Sequence, residues 1–283
     1  MRMAGENENM TGIAPFVKWV GGKRQLIDEI RRRLPDDFGE RLYCEPFIGG
    51  GAVLFSLQPQ RAVINDFNRE LINTYRIVKR YPKALLRLLE TYPNDAEFFY
   101  QMRAHDRDGG LRLLSPTQRA ARFIYLNKTC YNGLYRVNSR GEMNAPFGRY
   151  INPKIADSET IHADSTYLRK ADVKIYNKDF ARVLRVIPDM SFAYLDPPYH
   201  PVSEQSFTSY VQGGWRAEEQ IRLKAECDLL SGRGVRFMQS NSSCEFIREL
   251  YAEYHIETVQ AIRAINSDGD GRGAVDEVII TNY

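Results

Sequence analysis

Cysteine is scarce in this 283-residue chain and is not arranged for bonding. Cys44, Cys130, Cys227 and Cys244 are widely spread with no C-x-x-C spacing, which excludes a zinc ribbon and a disulfide framework. His105, His162, His200 and His255 show no i, i+4 pair, so no metal cofactor is expected. Long apolar runs are also lacking. None approaches the roughly 20 residues that cross a bilayer, and MRMAGENENM lacks the basic-then-apolar order of a secretory signal. The expectation is a cytoplasmic protein without a membrane partner, with a flexible tail over residues 1–12. A strong charge of one sign is missing as well, the net being +3. Nor is the GGK at 21–23 an ATP P-loop, which would need glycine at Val17 and Ser or Thr at Arg24.

What is present is an ordinary globular composition, 43% hydrophobic, enough for one large domain or a domain with a substantial insertion. PFVKWVGGK reads as a short strand or loop with a glycine turn, and RQLIDEIRRRL follows with Leu26, Ile27, Ile30 and Leu34 at helical spacing. RLYCEPFIGGGAVLFSL holds a short strand, a glycine turn and an apolar helix start; RAVINDFN is a β-branched strand ending at Asp66. Such successive units predict an α/β fold with a parallel, doubly wound sheet. From about 68 to 165 the pattern becomes helical and rich in Arg and Tyr, so the sheet is interrupted there. Ser115-Pro116-Thr117-Gln118 predicts a capped helix start. In YNGLYRVNSRGEMNAPFGRY, turns at Asn132-Gly133 and Arg140-Gly141 predict a hairpin with arms at 134–138 and 142–144. Strand patterns return at 173–176, 191–195, 235–240 and 275–283, with NSDGDGRGA (266–274) as a loop joining the last two strands.

The positive charge is unevenly placed. Residues 101–150 carry nine basic side chains (Arg103, Arg107, Arg112, Arg119, Arg122, Lys128, Arg136, Arg140, Arg149) against Asp106, Asp108 and Glu142, a surplus larger than that of the whole chain. A basic, aromatic hairpin suits entry into a nucleic-acid groove.

The densest chemistry lies in Asp196-Pro197-Pro198-Tyr199, delivered by the apolar run SFAYL. A residue before proline is pushed out of the helical region and proline fixes its own φ, so this stretch is extended and stiff. Proline has no N–H, which leaves the Asp196 carboxylate and the Pro197 carbonyl as rigid acceptors without a competing backbone donor. Tyr199 adds a π-face. An exocyclic amine on a nucleobase fits that description; a tight turn after a buried strand is the plainer alternative. Upstream, Glu45-Pro46-Phe47-Ile48-Gly49-Gly50-Gly51 sits where a strand's carboxyl end meets a helix, and Asp66 follows Gly49 by 17 residues. A separation of roughly 20 residues places an acid on a ribose hydroxyl in doubly wound folds, so a nucleoside-containing cofactor is expected. The spacing does not separate a dinucleotide from S-adenosylmethionine. Lys23 is a candidate for the cofactor's carboxylate, or else a surface lysine after a turn.

Taken in order, FVKWVGGK, EPFIGGG, INDFN, YNGLYRVNSRGEMNAPFGRY, DPPY and SFTSY resemble the alpha class of Dam-type DNA adenine-N6 methyltransferases, from about residue 15 to the C-terminus. The resemblance implies S-adenosylmethionine as methyl donor and a methyltransferase fold with a seven-stranded, mostly parallel sheet. It also implies an inserted, mainly helical target-recognition domain carrying the hairpin, with catalytic parts at 13–67 and 166–283 and recognition at 68–165. Residue by residue it implies cofactor contacts at Trp19, Gly22, Lys23, Glu45, Pro46, Phe47, Gly49, Gly51, Asp66, Asp179 and Asp196. Asp179, in the KDF after VKIY, matches an acid bound to the cofactor's adenine, a helix cap being the alternative. Catalysis is carried over to Asp196, Pro197, Pro198 and Tyr199, with Phe207 and Tyr210 closing over the base. DNA contacts are carried over to Lys18, Tyr131, Asn132, Leu134, Arg136, Asn138 and Arg149, in a combination that resembles the GATC-reading version. Arg136 is the candidate for guanine, since arginine pairs bidentately with its major-groove edge. The implied substrate is adenine in double-stranded DNA, rotated out of the helix, in a cytoplasmic, nucleoid-associated enzyme of a prokaryote or phage-infected cell. It acts alone or accompanies a restriction endonuclease of the same site without stable association. An RNA methyltransferase would share the DPPY turn but not the hairpin, and an inert DNA-binding module would not need intact glycines, Asp66 and DPPY.

Overall fold

The computed structural model describes residues 13–19, 21–200, 215–262 and 274–283. Its centre is a seven-stranded sheet: β1 (Leu42–Glu45), β2 (Arg61–Asn65), β3 (Asp172–Tyr176), β4 (Ser191–Leu195), β5 (Arg236–Ser242), β6 (His255–Ile262) and β7 (Ala274–Thr281). The order is β3-β2-β1-β4-β5-β7-β6, with β1 to β5 parallel and β7 antiparallel to both neighbours. This is the mostly parallel α/β sheet expected. The apolar run of β4 is buried at all five positions because it is central and covered on both faces. The chain reverses its winding between β1 and β4, which opens a crevice outside their carboxyl ends.

Ten α-helices are described: α1 (Ile27–Arg32), α2 (Ala52–Leu57), α3 (Arg69–Arg80), α4 (Pro82–Glu90), α5 (Ala96–Ala104), α6 (Pro116–Thr129), α7 (Ser158–Lys170), α8 (Phe180–Leu184), α9 (Ala217–Gly232) and α10 (Glu245–Leu250). None of them is long and apolar enough to cross a membrane. The capped start of α6 forms as its sequence predicts: Ser115 Oγ accepts the Gln118 N–H at 3.3 Å and Gln118 Oε1 accepts the Ser115 N–H at 2.9 Å. One face of the sheet is sealed by α8, α9 and α10 around Leu184, Leu223, Phe237 and Ile247. The other carries α2, α3 and α7, and its core runs without a break from Phe55 and Tyr75 into Phe99, Phe123 and Tyr125 among the inserted helices. The helical stretch between β2 and β3 is thus welded to the sheet face. Tyr167 on α7 and Lys79 on α3 donate to the carbonyls of Pro59 and Val173.

PFVKW is not a strand. Lys18 makes no sheet ladder; its N–H donates to Asn127 Oδ1 (2.9 Å) and its carbonyl accepts Asn127 Nδ2 (2.8 Å), so one side chain on α6 replaces the pairing a strand would supply. Residues 1–12 and the 266–273 part of the expected loop lie outside the described residues.

Candidate active site

Parallel register gathers acids at one edge. Glu45 ends β1, Asp66 follows β2, Asp179 follows β3 and Asp196 follows β4. Asp196 Oδ1 receives both the Lys23 ammonium (2.8 Å) and the Ser240 hydroxyl (3.2 Å). Ser240 in turn lies 3.0 Å from the Tyr194 hydroxyl. Because both donors take the same oxygen, no donor among the described residues reaches Oδ2 or the Pro197 carbonyl. The Pro198 carbonyl, by contrast, accepts Gln220 Nε2 at 3.0 Å, and Gln220 is itself held by Asn241. Burial raises the Asp196 carboxyl above its ordinary range, and Lys23 and Ser240 offset this only in part. Tyr199 is fixed at two points: the Lys23 ammonium sits 4.6 Å from its ring centroid, and its hydroxyl donates to Glu277 Oε2 at 2.6 Å. Lys23, expected at a cofactor carboxylate, instead meets Asp196, and its ammonium also donates to the Gly21 carbonyl at 2.7 Å. Gly22 is exposed, with its N–H on the Trp19 carbonyl.

The glycine turn has a packing reason beside any ligand. Gly49 and Gly51 adopt φ of +49° and +77°, a region L side chains rarely enter. A Cβ on Gly49 would lie 2.6 Å from the Trp19 indole, and one on Gly51 2.5 Å from the Tyr75 hydroxyl. Trp19 is half-buried and stacks towards Phe123 and Tyr135, so it ties the turn to α6. Asp66 binds the turn from the other side, accepting the Gly49 N–H at 3.1 Å and the Asn68 N–H at 2.8 Å. Burial pushes its carboxyl up to about 6 against these backbone donors. Glu45 is fully buried and held well above the usual carboxylate range by that burial, though the Tyr43 hydroxyl donates to it at 2.7 Å. Pro46 is buried and Phe47 packs against Phe180 and Trp215.

Asp179 caps α8 by accepting the Ala181 N–H at 3.1 Å and forms an ion pair with Arg222. Burial works against its ionisation, but Arg222 and the helix N–H groups prevail and its carboxyl is lowered. A cleft of about 560 Å³ opens beside it, lined by Asn177, Lys178, Arg182 and Arg222. Asn65 clamps this region to the glycine turn: its amide donates to the Pro46 and Lys178 carbonyls, both at 3.0 Å, and its oxygen accepts the Lys178 N–H. A nucleoside-bearing cation fits this set of acceptors, with the partly buried Asp66 and Asp179 carboxylates able to accept from hydroxyl and amino groups and Asp196 adjoining.

The hairpin exists in reduced form. A single bridge joins Val137 to Met143, and the Asn138 N–H reaches the Glu142 carbonyl at 2.8 Å. The arms are too short for strands because Asn138 closes its own turn, accepting the Arg140 and Glu142 N–H groups and donating to Glu142 Oε2. Tyr131, Asn132, Arg136 and Arg149 are exposed, Leu134 and Asn138 half-buried. Lys18 comes against the same loop, since a Cβ on Gly133 would lie 2.6 Å from its Cδ. Much of the basic surplus is structural. Arg122 is fully buried and pairs with Asp106 (2.7 Å), Arg119 pairs with Glu70, and Arg103 and Arg107 hold the Ala145 and Met143 carbonyls. Phe207 and Tyr210 lie outside the described residues.

Five contributors escaped the sequence reading: Asn65, Asn127, Gln220, Ser240 and Glu277. Asn65 and Asn127 are polar residues closing apolar runs, which was the available signal, while Gln220, Ser240 and Glu277 stand among other polar residues; the partners lie far along the chain, 109 residues for Asn127 with Lys18 and 78 for Glu277 with Tyr199.

The family model described as D12 class N6 adenine-specific DNA methyltransferase matches residues 19–265. The chain is 44% identical over 279 residues to the type II methyltransferase M1.LlaDCHI of Lactococcus lactis, covering 98% of each. It is 40% identical to the type II methyltransferase M.MjaIII of Methanocaldococcus jannaschii, covering 96% of this chain and 99% of that one. To the DNA adenine methylase of Escherichia coli K12 it is 37% identical, covering 93% of each.

Proposed function

Given that the chain belongs to the D12 class of N6 adenine-specific DNA methyltransferases, which use S-adenosylmethionine, we propose that it modifies the adenine of GATC on a base rotated out of the duplex. The observation that carries this reading is the division of labour at Asp196. Lys23 and Ser240 occupy one carboxylate oxygen and Gln220 occupies the Pro198 carbonyl, so that among the described residues Asp196 Oδ2 and the Pro197 carbonyl are left as two acceptors for the two hydrogens of an amine. An atom inside a duplex is out of reach of such a recessed pair, which is why the base must leave the stack, at a cost of a few kcal/mol. Stacking on Tyr199 offsets part of that cost, about 1 to 3 kcal/mol for a base on an aromatic ring.

The adenine amino lone pair is delocalised into the ring. Acceptors on both hydrogens favour a more pyramidal nitrogen and turn electron density outward. Bound S-adenosylmethionine supplies an activated methyl group on a sulfonium, with Asp66, Asp179 and the 45–51 turn as the residues that hold it. Positioning and local electrostatics supply the acceleration, and Asp196 need not be a strong base because the nitrogen becomes acidic on methylation. The stretch from 68 to 165 serves as the recognition part. Its exposed Tyr131, Asn132, Arg136 and Arg149 are offered to DNA together with Lys18, and Arg136 to guanine. The type II naming of two relatives supports a restriction endonuclease of the same site as a functional counterpart.

Expression in a methylation-free host tests the reading. Genomic DNA should become resistant to a nuclease that cuts only unmethylated GATC and sensitive to one that cuts only the methylated site. Methylated adenine in another sequence would overturn the GATC assignment while leaving the reaction.

A further inference from the structure

Glu277 lies on β7, directly after Asp276, and the reversal of that strand brings it to the catalytic edge. Because β7 is antiparallel to β5, with Glu277 opposite Ser242, its amino-terminal half lies beside the carboxyl ends of the parallel strands. There Glu277 Oε2 accepts the Tyr199 hydroxyl at 2.6 Å. The phenol oxygen lies on the axis of the χ2 torsion, so a bond at it restrains the swing of the whole ring about χ1, which the Cβ attachment alone leaves to rotamer preference. Two further contacts lie near it among the described residues. Lys23 over the ring is a cation attracted without strong direction, and Gln220 holds the backbone carbonyl of Pro198. Burial and the Asp196 and Glu277 carboxylates keep the phenol protonated, so it remains a donor at any working pH.

We infer that Glu277 is a positioning residue for methyl transfer: by holding the phenol end of Tyr199 it fixes the direction of the ring axis, and so the place of the platform on which the extruded adenine stacks. The inference rests on the base-extrusion reading above and extends it to a strand remote in sequence.

A double-mutant cycle tests it. The variants are Glu277→Ala, Glu277→Gln, Tyr199→Phe and Glu277→Ala with Tyr199→Phe, in the full chain. Each is assayed for kcat on duplex DNA, for cofactor binding, and for the fluorescence of 2-aminopurine placed at the target base. A hydrogen bond to a charged acceptor is the stronger kind, so Glu277→Ala and Tyr199→Phe should each lower kcat about tenfold or more. The double variant should lose no more than the worse single one. Glu277→Gln, which still accepts, should recover most of the rate, and cofactor affinity should stay within about twofold throughout. Losses that multiply in the double variant would overturn the inference, as would a Tyr199→Phe enzyme with the parent rate. Should Glu277→Ala not fold, the comparison of Tyr199→Phe with Glu277→Gln decides on the same readouts. A parent enzyme that methylates DNA yet gives no 2-aminopurine signal would sink the extrusion reading itself, which is distinct from an active, fluorescent parent whose cycle is additive.

Discussion

At the scale of single residues, Asp196 and Lys23 form one electrostatic unit, and their coupling has a direction that can be measured. Asp196 must be ionised to accept an amine hydrogen, and burial raises its carboxyl above the ordinary range while Lys23 pulls it back. For an acid with a raised pKa, the active carboxylate is lost as pH falls through that raised value. The acidic limb of kcat therefore lies above the position of an ordinary aspartate, and removing the cation moves it further up. Lys23→Met should shift that limb to higher pH in a pH–rate profile; a shift to lower pH would show that Lys23 does not act on Asp196. Asp196→Ala should fold, since the sheet beneath it is built from β4 and β5 side chains, yet lose about 10²-fold to 10³-fold or more in kcat, the scale on which a positioned polar group contributes. Tyr199→Ala should lose less. Asp196 and Tyr199 were legible in the sequence because proline stiffens the chain around them locally. Ser240, Gln220 and Glu277 were not, because their meaning comes from strand order: β5 and β7 stand beside β4 only once the sheet is assembled.

At the scale of elements, the short hairpin depends on what lies beneath it rather than on its own ladder. Asp106 faces the fully buried Arg122 at 2.7 Å, and its other oxygen accepts the Met143 N–H at 2.7 Å, so a single carboxylate joins α6 to the hairpin. Removing it strands a buried guanidinium, which costs about 3–5 kcal/mol. Asp106→Ala should lower the unfolding free energy measured by urea titration by that amount. If the enzyme survives, DNA selectivity should fall more than cofactor affinity. A stability change under about 1 kcal/mol would mean that the Met102 and Arg103 carbonyls, to which Arg122 also donates, suffice to satisfy it. The strands β1 to β5 and β7, the capped α6 and the hairpin turn were readable because period, caps and turn residues are local signals. The reading of PFVKW as a strand or loop resolves to a loop held by Asn127, and only the folded chain brings that side chain to it.

At the scale of the whole molecule, a net charge of +3 sits on a chain whose basic segment commits many of its cations to partners within the fold. Arg103, Arg107, Arg119 and Arg122 are fastened to carbonyls or acids, and Lys128 is half-buried with its ammonium disfavoured by that burial. Besides Arg107, which is exposed but holds the Met143 carbonyl, the exposed cations of the 101–150 segment are Arg112, Arg136, Arg140 (3.2 Å from Glu142) and Arg149, and Lys18 adjoins them. Each phosphate neutralised contributes about −0.9 to the slope of log binding constant against log salt, so these cations give a slope on the order of −3 to −5. All nine basic side chains of the 101–150 segment would instead give about −8. Titrating GATC duplex at several salt concentrations distinguishes the two, and a slope near −8 would mean that the paired arginines leave their acids to bind DNA. On the same reasoning Arg149→Ala should reduce the slope by about 1 and weaken all sequences alike, whereas Arg136→Ala should lose about 1–3 kcal/mol of discrimination at one base pair. Equal losses for Arg136→Ala on cognate and altered duplexes would make it another phosphate contact, and the sequence preference would then have to come from the remaining hairpin side chains.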